Sequence, residues 1–373
     1  MKFIKFVTAL LLLFVSCACT TLAGKEETGA VIARRAQVRS SVAVVAADLK
    51  EVVRGDELDI LDSIINPETG ERWLRVRTRD AEPVEGWIEA RNVISHDMIE
   101  RSRGLAKEDG DIPAQASGQL RASTNIRFSP DRAGNDNILF KLESGSRFDI
   151  MSWKRVPRPK SQEATESDDV PKSGTAQPGG SRRGKKEEEK EPEDTDELWY
   201  KVRLPPSVSP APAGWVFGKQ VELTVPSDII FYRTGREFVA WQRLDGDEST
   251  AQQSSVKDND AAKETRETRP GAWVILEKSS VNNPAGTDTS DFDRIYVLGY
   301  DKDRQEHYTA YRSPDVNGFL PLRVEGKGDT KTFIVRVQGA GEPQDVKFKT
   351  YINERGLLKV EALGEIPKAN KPK

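Results

Sequence analysis

The sequence predicts an all-β protein: two small β-barrels in tandem, then a C-terminal antiparallel β barrel or sandwich, with disordered insertions. Three observations predict this. Four strand-like motifs occur twice in the same order. The last third is a series of short strand-like segments separated by turn residues. Two long polar stretches lack the apolar side chains a core requires.

The chain opens with MKFIKFVTALLLLFVSCACTTLAG. Lys2 and Lys5 form a positive n-region, and residues 6–15 form an apolar h-region too short to span a bilayer comfortably. Residues 1–23 therefore read as an export signal. The stretch Phe14-Val15-Ser16-Cys17 resembles a bacterial lipobox, which makes Cys17 the first candidate for acylation; Cys19 is the second, and plain cleavage after Ala23 is the alternative. A lipidated cysteine would hold the protein at a membrane, because each buried methylene contributes about 0.8 kcal/mol.

The first copy of the repeat has AQVRSS (36–41), RGDELDIL (54–61), ERWLRVR (71–77) and EGWIEARNV (85–93). The second has TNIRFSP (124–130), ESGSRFDIM (143–151), ELWYKVRL (197–204) and AGWVFGKQV (213–221). Gly55 and Gly145 each mark a turn that leads into a strand with alternating apolar residues, Leu58 and Ile60 in one, Phe148 and Ile150 in the other. The segments starting at Trp73 and Trp199 alternate with period two, as half-buried strands do. Short strands without intervening helices argue for small barrels.

These motifs resemble those of bacterial SH3-like (SH3b) domains: a VR-x-x start, a Gly-Asp or Gly-Ser turn, a Trp-x-x-Val centre and a Gly-Trp-Val end. The resemblance covers residues 28–95 and 118–225; the second copy departs from it by a long insertion, about 157–196. It implies binding of wall peptides or protein ligands, with Trp73, Trp87, Phe128, Trp199, Tyr200 and Trp215 as candidate ligand-binding residues. The competing role for these aromatic side chains is closure of the barrel cores.

The insertion is rich in Pro, Gly, Ser, Lys and Glu, and disorder is expected there because little apolar surface offsets the ordering entropy. Its basic cluster directly precedes an acidic one, which reads as a self-compensating solvated loop. Residues 96–117 read as a linker, partly helical and ended by Gly110 and Pro113. Residues 228–365 form the C-terminal β domain, with a second disordered loop at 245–269; residues 366–373 are a basic tail.

Composition narrows the chemistry. Net charge is -3 and basic residues are mixed with acids, which disfavours nucleic acid. The only cysteines lie in the export signal, so a disulfide framework in the body is excluded, and two histidines cannot build a His-rich zinc site. His307 stands alone on a strand-like segment, where alternation would place it with Thr309 and Tyr311 on one face. Asp288, Asp291 and Asp293 offer carboxylates that calcium could take, but they lack the glycine and terminal glutamate of a helix-loop-helix site. No catalytic residue, metal or cofactor is expected. The sequence thus predicts a non-catalytic envelope protein that binds a cell-wall peptide or an envelope protein, membrane-anchored if lipidated and otherwise secreted. The alternatives are a hydrolase targeted by its barrels and a structural subunit of an envelope assembly.

Overall fold

The computed structural model describes residues 27–132, 134–158, 196–233, 235–245, 270–279, 290–328, 330–339 and 341–367. Cys17, Cys19 and the rest of the stretch expected to be an export signal lie outside these residues, as do Asp288 and nearly all of both stretches expected to be disordered. The described chain is nearly all β, as the sequence predicts. No described helix is long and apolar enough to cross a membrane. There are two compact units: Met1–Gly110 with Leu139–Leu142 and Arg203–Gly214, and Asp111–Ile138 with Glu143–Val202 and Trp215–Lys373.

The first barrel-like sheet contains β1 (Glu27–Val31), β2 (Arg35–Arg39), β3 (Asp48–Val53), β4 (Glu57–Ile65), β5 (Arg72–Thr78), β6 (Glu85–Glu89) and β7 (Val93–Ser95), in the order β3-β2-β6-β5-β4-β1-β7. The second contains β8 (Ala116–Leu120), β9 (Thr124–Arg127), β10 (Ile138–Leu142), β11 (Arg147–Pro157), β12 (Asp196–Arg203), β13 (Ala213–Phe217) and β14 (Val221–Leu223), in the order β10-β9-β13-β12-β11-β8-β14. Strand for strand the two orders are the same. Each sheet also has a 3₁₀ turn before its last strand, Ala90–Asn92 in one and Gly218–Gln220 in the other. Gly55 and Gly145 adopt φ of +91° and +77°, the left-handed conformation that glycine tolerates, directly before β4 and β11.

The repeat extends to a first strand that the motif comparison leaves out. Gly29 in β1 lies opposite Leu58 and Ser95. Gly118 in β8 lies opposite Phe148 and Leu223, the corresponding places. A Cβ at Gly29 would stand 2.7 Å from the Ile94 carbonyl oxygen, so the sheet closes tightly over this position. Inside the first barrel Val31, Val38, Val52, Leu58, Leu74, Val76 and Ile88 form one core, each contributing roughly 1.5–3 kcal/mol by burial.

Helix α1 (His96–Glu108) follows β7. The Ser95 hydroxyl caps it by accepting from the Met98 amide at 3.4 Å, and Asp97 in the first turn favours its N-terminal dipole. Ile99, Ser102 and Leu105 form its buried face. The Ser102 hydroxyl accepts from the Ala213 amide at 2.9 Å and donates to the Ala213 carbonyl at 2.6 Å. This two-way bond satisfies a buried backbone pair that would otherwise be costly.

In the second unit the C-terminal region is a sandwich of two four-stranded antiparallel sheets. One sheet is β15 (Glu237–Arg243), β16 (Trp273–Lys278), β17 (Arg294–Asp301) and β18 (Glu306–Arg312). The other is β19 (Asn317–Lys327), β20 (Thr330–Gln338), β21 (Gln344–Ile352) and β22 (Leu358–Ala362). Their inner faces share one core, including Val274, Leu276, Ile295, Val297, Phe333, Val335 and Phe348. Phe333 and Phe348 stack at 4.7 Å within it.

Gln115 joins this sandwich to the second barrel. It is fully buried. Its backbone amide donates to Ile150 at 2.8 Å, and its carbonyl accepts from Trp241 at 2.9 Å. Its side chain accepts from the Leu322 amide at 2.6 Å and donates to the carbonyls of Pro113 at 2.7 Å and Leu322 at 3.0 Å. Gln242 donates to the same Leu322 carbonyl at 2.9 Å.

Candidate functional site: the outer faces of the barrels

Of the aromatic candidates, Trp73 and Trp199 are buried, and Trp87, Phe128, Tyr200 and Trp215 are half-buried. Along β5, Leu74 and Val76 point into the first core, so Trp73 and Arg75 take the opposite face. Along β6, Ile88 points in and Trp87 points out, beside Arg75 and opposite Arg39 of β2. Trp73 is nonetheless buried, and its indole N–H has no acceptor among the described residues. The Arg39 guanidinium lies 6.0 Å from its ring centre.

Arg39 also shapes the loop between β2 and β3. It donates to the carbonyls of Val44 at 2.8 Å and Ala46 at 3.0 Å, and it pairs with Asp48 at 3.3 Å. The Asn66 amide holds the Val42 carbonyl of the same loop at 3.1 Å. Val45, 93% exposed, sits at the tip of this fastened loop. Arg127 is the counterpart of Arg39 and donates to the Gly134 carbonyl at 3.0 Å in the corresponding loop. The arginine of the repeated VR and IR motifs is therefore a loop clamp, a role that spacing alone does not reveal.

The second barrel opens a cleft on this outer face, with about 350 Å³ of space that includes open solvent. Thr124, Asn125, Arg127, Arg132, Trp199, Phe217 and Gln220 line it. Trp199 is 1% exposed, and its indole N–H, like that of Trp73, has no acceptor among the described residues. Its ring meets Phe217 at 5.5 Å. The Arg132 guanidinium lies 4.9 Å from the Phe217 ring centre and pairs with buried Glu197 at 3.2 Å. Phe217 and both arginines were not among the sequence candidates. Phe217 could have been found by pairing strands: it occupies the place of Glu89, the cross-strand neighbour of Trp73.

The other candidates lie elsewhere. Trp215 is half-buried and pairs with Arg127 across β13 and β9. Tyr200 stands on the opposite face of β12 from Trp199, edge-on to Trp153 at 6.5 Å; burial pushes its hydroxyl above the ordinary tyrosine range. Phe128 is half-buried and does not line the cleft.

His307 is fastened, not poised. Its Nε2 donates to the Gly271 carbonyl at 2.8 Å and lies 3.6 Å from Asp228. Asp228 accepts from the Trp273 indole at 2.8 Å. Tyr300 and Tyr232 flank the imidazole ring at 5.0 and 5.4 Å. Simple alternation fails for its strand, because a bulge pairs Val297 with Tyr311 and Leu298 with Thr309. Tyr311 consequently turns to the core and meets Phe348 at 5.6 Å.

Asp291 and Asp293 are engaged separately. Asp291 accepts from the Leu320 amide at 2.9 Å, and burial raises its carboxyl above the usual range. Asp293 pairs with Arg236 and accepts from the Ser279 amide at 2.8 Å. Neither arrangement leaves a shared oxygen cage of the kind calcium takes.

Neither a scan against protein-family models nor a search of curated proteins gives a match for this chain.

Proposed function

We propose that this chain is a non-catalytic cell-envelope binding protein whose two barrels are SH3-like modules for an extended peptide or protein ligand, reached after export and held at a membrane by lipid on Cys17 or, second, Cys19. The observation that carries the reading is the repeated outer face. Both barrels carry a tryptophan pair and a loop-clamping arginine at matching places, with Trp73 and Trp199 buried and Trp87 and Trp215 half-buried, and in the second barrel Trp199 and Arg127 line a cleft. Aromatic rings beside a fixed loop are what an extended peptide needs: flat apolar area at little entropic cost, with donors at the edge. The strand order and the 3₁₀ turn before each last strand support the SH3-like assignment.

The test is retention of the full chain on purified peptidoglycan. Retention is expected, and it should weaken when Phe217 is changed to Ser. Absence of retention would defeat the wall-binding version of the reading.

A further inference from the structure

The two sheets of the sandwich differ on their outer sides. Trp241, Ile275 and Tyr296 form one cross-strand row on the outer side of β15, β16 and β17, and all three are buried. The outer side of β19 to β22 is open and basic. Val346 and Phe348 of β21 point into the core, so Lys347, Lys349 and Tyr351 point out, and all three are exposed. Register places Arg323 and Ile334 in one row with Lys347, Glu361 beside Lys349, and Lys359 beside Tyr351. By the same alternation Glu325 and Lys327 follow Arg323 on β19, and Arg336 faces Asp345 across β20 and β21. This side thus carries six bases and three acids, in a chain whose net charge is -3. Arg336 pairs with Asp345 at 3.2 Å, whereas Arg323, Lys347, Lys349 and Lys359 have no ion-pair partner among the described residues. Leu363, 56% exposed, stands beside Lys347, with its amide bonded to the Lys347 carbonyl at 2.8 Å.

We propose that the outer side of β19 to β22 docks on a bilayer surface that carries anionic headgroups. The proposal depends neither on the ligand of the barrels nor on lipid at Cys17. Charge complementarity calls for an anionic partner, since each lysine or arginine brought near an anionic bilayer is worth about fivefold in affinity. Four strands about 4.8 Å apart and some five residues long present a patch of roughly 15 by 17 Å, broad enough to bring several cations to one plane at once. Exposed Tyr351 and Leu363 favour a bilayer over a soluble polyanion. Lysine stems lie along apolar groups while their ammonium ends reach phosphate, and a tyrosine ring suits the boundary between water and lipid. Pro367 lies against Gly339, just past β20, and the six residues after it include Lys368, Lys371 and Lys373, so further positive charge leaves from the same sheet.

The test is acetylation footprinting of lysines on the full chain, read by mass spectrometry. Its arms are vesicles of mixed phosphatidylglycerol and phosphatidylcholine, vesicles of phosphatidylcholine alone, and soluble polyphosphate at matched phosphate. Because each lysine is read separately, attachment through the apolar N-terminal stretch does not pass for docking. The mixed vesicles should slow acetylation of Lys347, Lys349 and Lys359 by about threefold or more, the worth of one basic contact, and leave exposed Lys107 and Lys219 unchanged. Salt at about 0.5 M should remove the protection, since it shortens the reach of the surface charge. Lys347→Gln combined with Lys349→Gln should cut the protection of Lys359 by about threefold or more while leaving the Tm in place. Absence of protection, or equal protection by phosphatidylcholine alone, would overturn the proposal. So would protection by polyphosphate as strong as that by the mixed vesicles, which would mark a polyanion site, or undiminished protection of Lys359 in the double variant. None of these results bears on retention by peptidoglycan, so the two readings stand or fall separately.

Discussion

Replacing Gln115 with Met should loosen the join between the second barrel and the sandwich while leaving its volume filled. The side chain is fully buried, so the substitution removes polar atoms without opening a cavity. The Leu322 amide loses the acceptor it has at 2.6 Å, and the Pro113 carbonyl loses a donor at 2.7 Å. The Leu322 carbonyl keeps Gln242 at 2.9 Å. One orphaned buried N–H costs about 1–3 kcal/mol, and one lost bond to a carbonyl adds about 1 kcal/mol. The sum, about 2–4 kcal/mol, corresponds to roughly 30- to 1,000-fold faster amide exchange where opening limits exchange. Hydrogen-exchange mass spectrometry on the full chain, read at peptides containing Leu322 and Trp241, measures this directly. Gln242→Met should cost less, about 1 kcal/mol, because Gln115 still holds Leu322. A change below about threefold for Gln115→Met would refute the argument, since it would mean the two β structures associate by apolar contact alone.

Three further outcomes follow from the geometry. Glu277 is fully buried with neither carboxylate oxygen partnered among the described residues; burial raises its pKa, with Arg312, Arg236 and Arg294 pulling the other way. A raised folded-state pKa gives stability that is complete below the unfolded value and is lost as pH rises through the folded one, so Glu277→Gln should leave thermal melting unchanged near pH 4 and raise the Tm near pH 8; equal effects at both pH values would contradict it. Gly29→Ala should destabilise by about 1–3 kcal/mol in urea titrations and Gly118→Ala by less, because a Cβ meets a backbone oxygen at 2.7 Å in the first case and side-chain atoms at 3.1 Å in the second. Arg39→Met frees the carbonyls of Val44 and Ala46 and should make residues 41–47 the first site of limited proteolysis, at a stability cost of about 1–3 kcal/mol; an unchanged cleavage pattern would argue that the loop is held by other contacts.

What could be read from the sequence depended on whether a signal was local. The strands around Trp73, Trp87, Trp199 and Trp215 were legible because alternation and glycine turns act over a few residues. Strands β1 and β8 were not, since they share little beyond a mid-strand glycine whose purpose appears only when the opposite strand is present. The sequence left open whether the C-terminal region is a barrel or a sandwich, because that depends on which inner faces meet. The position of Tyr311 was misjudged because one bulge shifts every later residue by half a period. At the candidate site the tryptophans stood out by type, whereas Phe217, Arg127 and Arg132 gained meaning only from strands adjacent in space.

The two copies differ most between the fourth and fifth strands of each sheet. The first crosses there with a turn in which the Gly70 amide bonds the Asn66 carbonyl at 2.8 Å; the second carries residues 158–195 at the same point, with sheet order unchanged. Closing the longer excursion adds less than about 2 kcal/mol of chain entropy, since that cost grows only with the logarithm of length. The hairpin at Thr69-Gly70 is accordingly a natural acceptor for foreign sequence. A reporter epitope or a small tag grafted there would exploit a tolerance that the sister module already displays.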